Sequence, residues 1–153
     1  MVKYHHYMMR PTDALNRVLE LATLVGTDMA RFERESGLTA SRTHLLWVLG
    51  ASGPSTQQSL AAALSVSARN ITGLVDGLVA SGHVSREAHP TDRRATLVTP
   101  TANGETAIRE LIDSHQHLAR QLFGHLPAEQ LAAFAATLDE TIATFARLME
   151  ETS

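Results

Sequence analysis

Cysteine is missing from this chain altogether. Disulfides, thiolate zinc sites and thiol-based redox sensing are thereby excluded. Aromatic residues make up only 5% and charged residues 19%, against a hydrophobic fraction of 44%, and that balance belongs to globular rather than disordered chains. No apolar run approaches the roughly 20 residues that a helix needs to span a bilayer. The opening stretch MVKYHHYMMR is too polar for a secretory leader, so a cytoplasmic protein with no membrane partner is expected. Catalytic signatures are lacking as well: there is no G-x-S-x-G elbow, phosphate-binding loop or dinucleotide fingerprint, and no thiol nucleophile. Neither an enzyme nor a cofactor is expected.

A length of 153 residues suits one domain able to bury a sizeable core. The net charge of −3 is unevenly spread. Residues 1–64 hold six basic and five acidic side chains, residues 65–100 four and three, and residues 101–153 three and eight. The acidity is therefore C-terminal, while the middle keeps Arg69, Arg86, Arg93 and Arg94.

Residues 1–11 show no period and read as an arm ending at Pro11. Thr12 and Asp13 are expected to cap a long helix with Leu15, Val18, Leu19, Ala22, Val25, Met29 and Phe32 at helical spacing, closed by Gly37. A second helix is expected over Thr39–Leu49; its run Leu45-Leu46-Trp47-Val48-Leu49 calls for burial on more than one side.

The centre of the chain is more specific. Ser55 and Gln58 have capping-box spacing ahead of Leu60, Ala61 and Leu64. After a break at Ser65-Val66-Ser67, a second helical period runs through Ile71, Leu74, Val75, Leu78 and Val79 and stops at Gly82. Two short helices joined by a tight turn form the helix-turn-helix pattern. His83–Glu87 and Ala95–Thr99 then alternate apolar and polar residues around a tip with Pro90, Asp92, Arg93 and Arg94, which predicts a basic β-ribbon. Two further helices follow: one capped by Thr101, carrying Ile108, Leu111, Ile112, His115, Leu118, Ala119 and Leu122, and one carrying Leu131, Phe134, Leu138, Ile142, Phe145, Leu148 and Met149. The last stripe is too long for one chain to cover, so a partner subunit is expected to cover it.

The segment LVDGLVASGHVSREAHPTDRRATLVTPTANGE resembles the MarR family of winged helix-turn-helix transcription regulators, matching its run of helix end, glycine, strand, P-x-D-x-R wing tip, strand and T-x-x-G helix start. The resemblance covers about a third of the chain; elsewhere only helix order and length agree. It implies a mainly α fold with a small β-ribbon: a single domain over 1–153, with 39–101 as the winged DNA-binding region and 1–36 and 102–153 as dimerisation helices. It further implies a homodimeric repressor that holds a palindromic double-stranded DNA operator and is released by a small, for instance aromatic or phenolic, effector.

On that reading, Ser65, Ser67, Arg69, Asn70 and Thr72 are the candidate residues at the start of the reading helix, where Arg can bridge a guanine and Asn an adenine. In the wing, Arg93 and Arg94 are candidates for a narrow minor groove, and Asp92 is expected to hold Arg94 by a fork-shaped carboxylate–guanidinium pair. Gly73 and Gly77 depart from the family, which often has larger residues there. The resemblance places an effector pocket where the dimer helices meet the head, with Met29, Phe32, Arg42, His44, Trp47 and His115 as candidates, and the dimer contact is expected at Phe134, Leu138, Ile142 and Phe145. Two other readings stay open: an interaction dimer that keeps the winged shape without specific DNA binding, and a metal-responsive regulator using some of the eight histidines. No two of these histidines have the i, i+4 spacing of a helical zinc site, and no metal site is expected.

Overall fold

The computed structural model describes residues 8–152. In chain order it contains α1 (Pro11–Ser36), α2 (Ala40–Ser52), β1 (Ser55–Thr56), α3 (Gln57–Leu64), α4 (Ala68–Ala80), β2 (Val84–Ala88), β3 (Thr96–Pro100), α5 (Ala102–Phe123) and α6 (Ala128–Glu151). It is the mainly helical winged architecture expected from the sequence. Contacts divide the chain into a unit ending at Ile108 and a second from Arg109 onward.

Helix α1 starts two residues earlier than a cap at Thr12 predicts, with Arg10 as its N-cap. Pro11 occupies its first turn, where a missing N–H costs nothing. Asp13 serves three residues in, accepting from the Arg10 main-chain N–H at 3.1 Å and from the Arg10 side chain. Those bonds hold its carboxyl below the usual carboxylate range. The helix ends at Gly37, whose φ of 72° is left-handed. Thr39 caps α2, its side chain accepting from the Arg42 N–H, with Glu33 of α1 also accepting from the Ala40 N–H; the helix runs to Ser52, past the expected end at Leu49.

The first unit is built around Leu45, Leu46 and Leu49 of α2, Leu60 of α3, Ile71, Val75 and Leu78 of α4, Val84 of β2, Val98 of β3 and Ile108. Burial of α2 is less complete than its apolar run suggests, since Trp47 remains 38% exposed. One capping residue also differs: Thr56, not Ser55, accepts from the Ser59 N–H to start α3. Ser55 instead lies in the two-residue strand β1, paired with Val98. A three-stranded antiparallel sheet in the order β1-β3-β2 results.

Helix α4 ends in a Schellman motif at Gly82 (φ 78°): the His83 N–H reaches the Leu78 carbonyl at 2.9 Å and the Gly82 N–H the Val79 carbonyl at 3.0 Å. The Thr101 N–H then donates to the His83 carbonyl and the Thr101 hydroxyl to the Gly82 carbonyl, while the same hydroxyl accepts from the Gly104 N–H to cap α5. The T-x-x-G signature is thus a clasp fixing the foot of the ribbon to a helix start.

In the second unit, the Phe123 and Phe134 rings meet at 5.8 Å between centroids. Much apolar surface stays open on the long helices. On α1, Leu15, Leu19 and Leu24 are exposed, and on α6 so are Ile142, Phe145, Leu148 and Met149.

Candidate nucleic-acid interface

Ser67 begins the reading helix as its N-cap, its Oγ accepting from the Asn70 N–H at 3.1 Å. A cap at this point satisfies one otherwise unpaired amide and fixes the direction in which α4 leaves the turn. Ser65 closes α3 in a left-handed conformation, φ 53°, which makes the turn tight enough for α4 to follow within three residues. With Ile71, Val75 and Leu78 buried below, Ser67, Arg69, Asn70 and Thr72 stand exposed on the outer face of the helix start. Arg69 and Asn70, with Ser41, Val66, Gly73 and Leu74, line a groove of about 340 Å³.

Thr72 is less available than its neighbours. Its hydroxyl donates to the Ala68 carbonyl at 2.9 Å and accepts from Gln57 Nε2 at 3.1 Å. The Gln57 carbonyl oxygen in turn accepts from the Arg86 guanidinium at 3.0 and 3.2 Å, and Arg86 donates to Asp76 Oδ1 at 2.6 Å. One polar chain therefore ties α3, α4 and β2 together. Arg86, counted by sequence among the basic groups of the head, spends its charge on Asp76. Sequence reading missed Gln57 in this role, and no local signal marks it.

Asp92 does not fork onto a guanidinium. Its Oδ1 accepts from the main-chain N–H of Arg94 at 3.0 Å, and its carbonyl accepts from the Ala95 N–H at 3.1 Å. It takes no part in the ion pairs Arg10–Asp13, Arg31–Asp28 and Arg86–Asp76. The cause is local: a carboxylate two residues ahead of an N–H closes an Asx turn without ordering a long side chain. Asp92 still sets the direction of Arg94, through the backbone. The Arg93 and Arg94 side chains are exposed at the tip.

Of the candidate pocket residues, Met29, His44 and Trp47 are exposed and Phe32 is half-buried. Arg42 lies across α4: a Cβ at Gly77 would stand 2.4 Å from its guanidinium. Gly77 is the opening that admits Arg42. His115 belongs to the second unit, as do the candidate dimer residues Phe134, Leu138, Ile142 and Phe145, of which Leu138 is half-buried and the others exposed. No group of three or more His, Asp or Glu side chains among the described residues could hold a metal ion; His5 and His6 lie outside those residues. No helix among the described residues is long and apolar enough to cross a membrane.

A short helix, a tight turn, a capped helix with polar residues at its exposed start and a basic ribbon define a winged helix-turn-helix protein. The MarR family model matches residues 38–96. The match lies in the winged head, about two fifths of the chain, and over that segment the chain is similar to the MarR family of transcription regulators. Similar proteins include two HTH-type transcriptional regulators of Bacillus subtilis (strain 168). YcgE is 34% identical over 64 residues, 42% of this chain and 42% of its own length, and YdgJ is 27% identical over 100 residues, 65% of this chain and 61% of its own. The chain thus aligns with less than two thirds of either relative. Among solved structures, Streptococcus pneumoniae FabT in complex with DNA has the same fold, with a TM-score of 0.74 at 18% identity, over 88% of this chain and 99% of that one.

Proposed function

We propose that this protein is a homodimeric transcription regulator that binds a roughly palindromic double-stranded DNA site through α4 and the β2–β3 wing. In this reading it acts as a repressor, and a small effector alters its affinity. The observation that carries the DNA-binding part is the two-sided build of α4. Its inner face is locked into the core by Ile71, Val75 and Leu78, while Arg69 and Asn70, side chains able to form paired hydrogen bonds with base edges, stand exposed at its capped start. The regulator names of YcgE and YdgJ and the DNA in the FabT complex agree with it. Two-fold symmetry sets the half-sites one helical turn apart, about 34 Å. Selection of bound fragments from genomic DNA at fixed salt is the test, and recovery of no enriched sequence would leave the interaction-dimer reading in its place. Titrating small aromatic acids and phenols into the resulting complex then tests the effector.

Arg69 and Ser65 are expected to differ in kind. Arg69→Ala relaxes preference at one symmetric base-pair position of each half-site by about 1–3 kcal/mol, the worth of a paired base contact. Ser65→Ala, in the turn where phosphates approach, weakens all sequences by a similar small factor. Binding to single-base-pair variants of the selected site separates the two, and a uniform loss for Arg69→Ala would make Arg69 a phosphate contact.

In the wing, Arg94→Ala is expected to weaken specific binding by about 1–3 kcal/mol. Asp92→Ala should lose on the order of 1 kcal/mol, as for a lost side-chain cap, although it removes a negative charge near the DNA. Tighter binding by the Asp92 variant, with site preference intact, would mean that the tip acts through bulk charge alone.

A further inference from the structure

The tip of the ribbon contains a second side-chain cap that the wing motif does not include. His89 stands directly before Pro90, and its ring is half-buried among exposed neighbours. Its Nδ1 faces the main-chain N–H of Thr91 at 3.2 Å, that of Asp92 at 3.0 Å and the Thr91 hydroxyl at 3.4 Å. Because Pro90 has no N–H, these are the first two amides that the turn has to satisfy. The Asp92 carboxylate takes the next one it reaches, that of Arg94, and the His89 N–H closes the loop on the Ala95 carbonyl at 3.2 Å. His89 therefore occupies the place usually taken by a capping Asp, Asn or Ser, with an imidazole nitrogen standing in for the oxygen.

We propose that His89 is a positioning residue for the wing: as the neutral imidazole with its proton on Nε2, it caps the turn through Nδ1 and so fixes the direction in which Arg93 and Arg94 are presented to DNA. This rests on the DNA-binding reading above for its consequence, but not for the cap itself. The chemistry is restrictive. An imidazole nitrogen accepts only through its lone pair, and in the neutral ring that leaves the other nitrogen as the donor. An imidazolium has no acceptor at all, so the cap exists in one tautomer and is lost when the ring gains a proton.

The charged groups of the ribbon around this ring are few. On β2, Arg86 is held by Asp76, and Glu87 accepts from the Ser85 hydroxyl. Asp92 is committed to the Arg94 amide, Arg93 and Arg94 complete the tip, and β3 (Thr96–Pro100) has no charged residue. Protonation at His89 thus adds a third positive charge beside Arg93 and Arg94 while removing the acceptor that shapes their loop. Bulk attraction to any DNA rises, and discrimination between the operator and other DNA falls.

Two measurements test this, one without DNA. Nitrogen-15 NMR of the whole protein at about pH 7.5 should find His89 as the Nε2–H tautomer, with the Thr91 and Asp92 amide signals moving in step with the ring as the pH is lowered. An Nδ1–H tautomer, or amides indifferent to the ring, overturns the cap whatever the protein binds. The second compares affinity for the selected site with affinity for random DNA. His89→Ala should lower that ratio about fivefold, as a lost cap would, whereas His89→Asn, whose side-chain oxygen can accept the same amides, should retain it. Equal ratios in all three proteins overturn the positioning role, and an equal loss on every DNA by both variants assigns His89 to a phosphate contact instead. A protein that selects no site while its NMR shows the cap would fail the DNA-binding reading alone.

Discussion

Replacing Ile142 by Asp is expected to leave the chain folded and to make it monomeric at micromolar concentration. Ile142 and Phe145 are 64% and 65% exposed on α6, so a carboxylate at Ile142 meets water in the single chain and costs its fold little. If that face covers a second copy, the same carboxylate is buried without a partner, at several kcal/mol, and twice over by symmetry. The apolar surface at stake is large. Burying a Leu, Ile or Phe fully is worth about 1.5–3 kcal/mol, and Phe134, Ile142, Phe145, Leu148 and Met149 alone offer five partly exposed side chains per copy. Leu138→Asp is the poorer probe, because Leu138 is already half-buried within its own chain and the variant can fail by unfolding. Sedimentation velocity with far-ultraviolet circular dichroism decides the matter: helix content retained with the mass halved is the expected result. A variant as dimeric as the wild type, or a wild type that is monomeric at the same concentration, removes α6 from the interface.

What the sequence revealed and what it hid divide along physical lines. Helices α3 and α4 and the ribbon were legible because their buried positions recur with a fixed period, and period depends on geometry alone. Gly37, Gly82 and the Thr101 cap were legible because the end of a helix demands particular local chemistry. The strand β1 was hidden, since two residues have no period and Ser55 with Gln58 imitates a capping box. The chain Thr72–Gln57–Arg86–Asp76 was hidden for another reason: its bonds join residues 10 to 29 positions apart, and a polar side chain does not announce a distant partner. Asp92 lay between these cases. Asp two residues before Arg suits either an ion pair or an Asx turn, and only the geometry separates them. Gly77 was noticed as a departure, and a glycine tolerated inside a helix at up to ~1 kcal/mol was a fair signal that something approaches closely, here Arg42.

The glycines also give the steepest stability prediction, because three of them differ only in what an added methyl group would meet. At Gly104 a Cβ would stand 1.9 Å from the His83 carbonyl oxygen and 3.4 Å from Pro100 Cβ. That oxygen is main chain, and it accepts from the Thr101 N–H at 3.0 Å in the clasp between the foot of the ribbon and α5. No rotamer relieves the clash, so either the strand or the helix start must move and the clasp opens. Gly104→Ala is therefore expected to cost about 3 kcal/mol or more, the upper part of the range for overpacking, and to lower the midpoint of thermal unfolding by roughly 6–12 °C for a chain of this size. At Gly77 the obstacle is the Arg42 guanidinium, at the far end of a flexible side chain. Gly77→Ala should displace Arg42 and change stability by less than about 1 kcal/mol, helix propensity offsetting the lost packing. At Gly73 nothing lies within 4 Å, and Gly73→Ala should stabilise by about 0.5–1 kcal/mol through helix propensity and a less flexible unfolded chain. The expected order of midpoints is thus Gly73→Ala above wild type, Gly77→Ala near it and Gly104→Ala far below. Thermal denaturation of the three variants reads this order directly, and a Gly104→Ala midpoint within about 2 °C of wild type would mean that the clasp is loose enough to admit a methyl group.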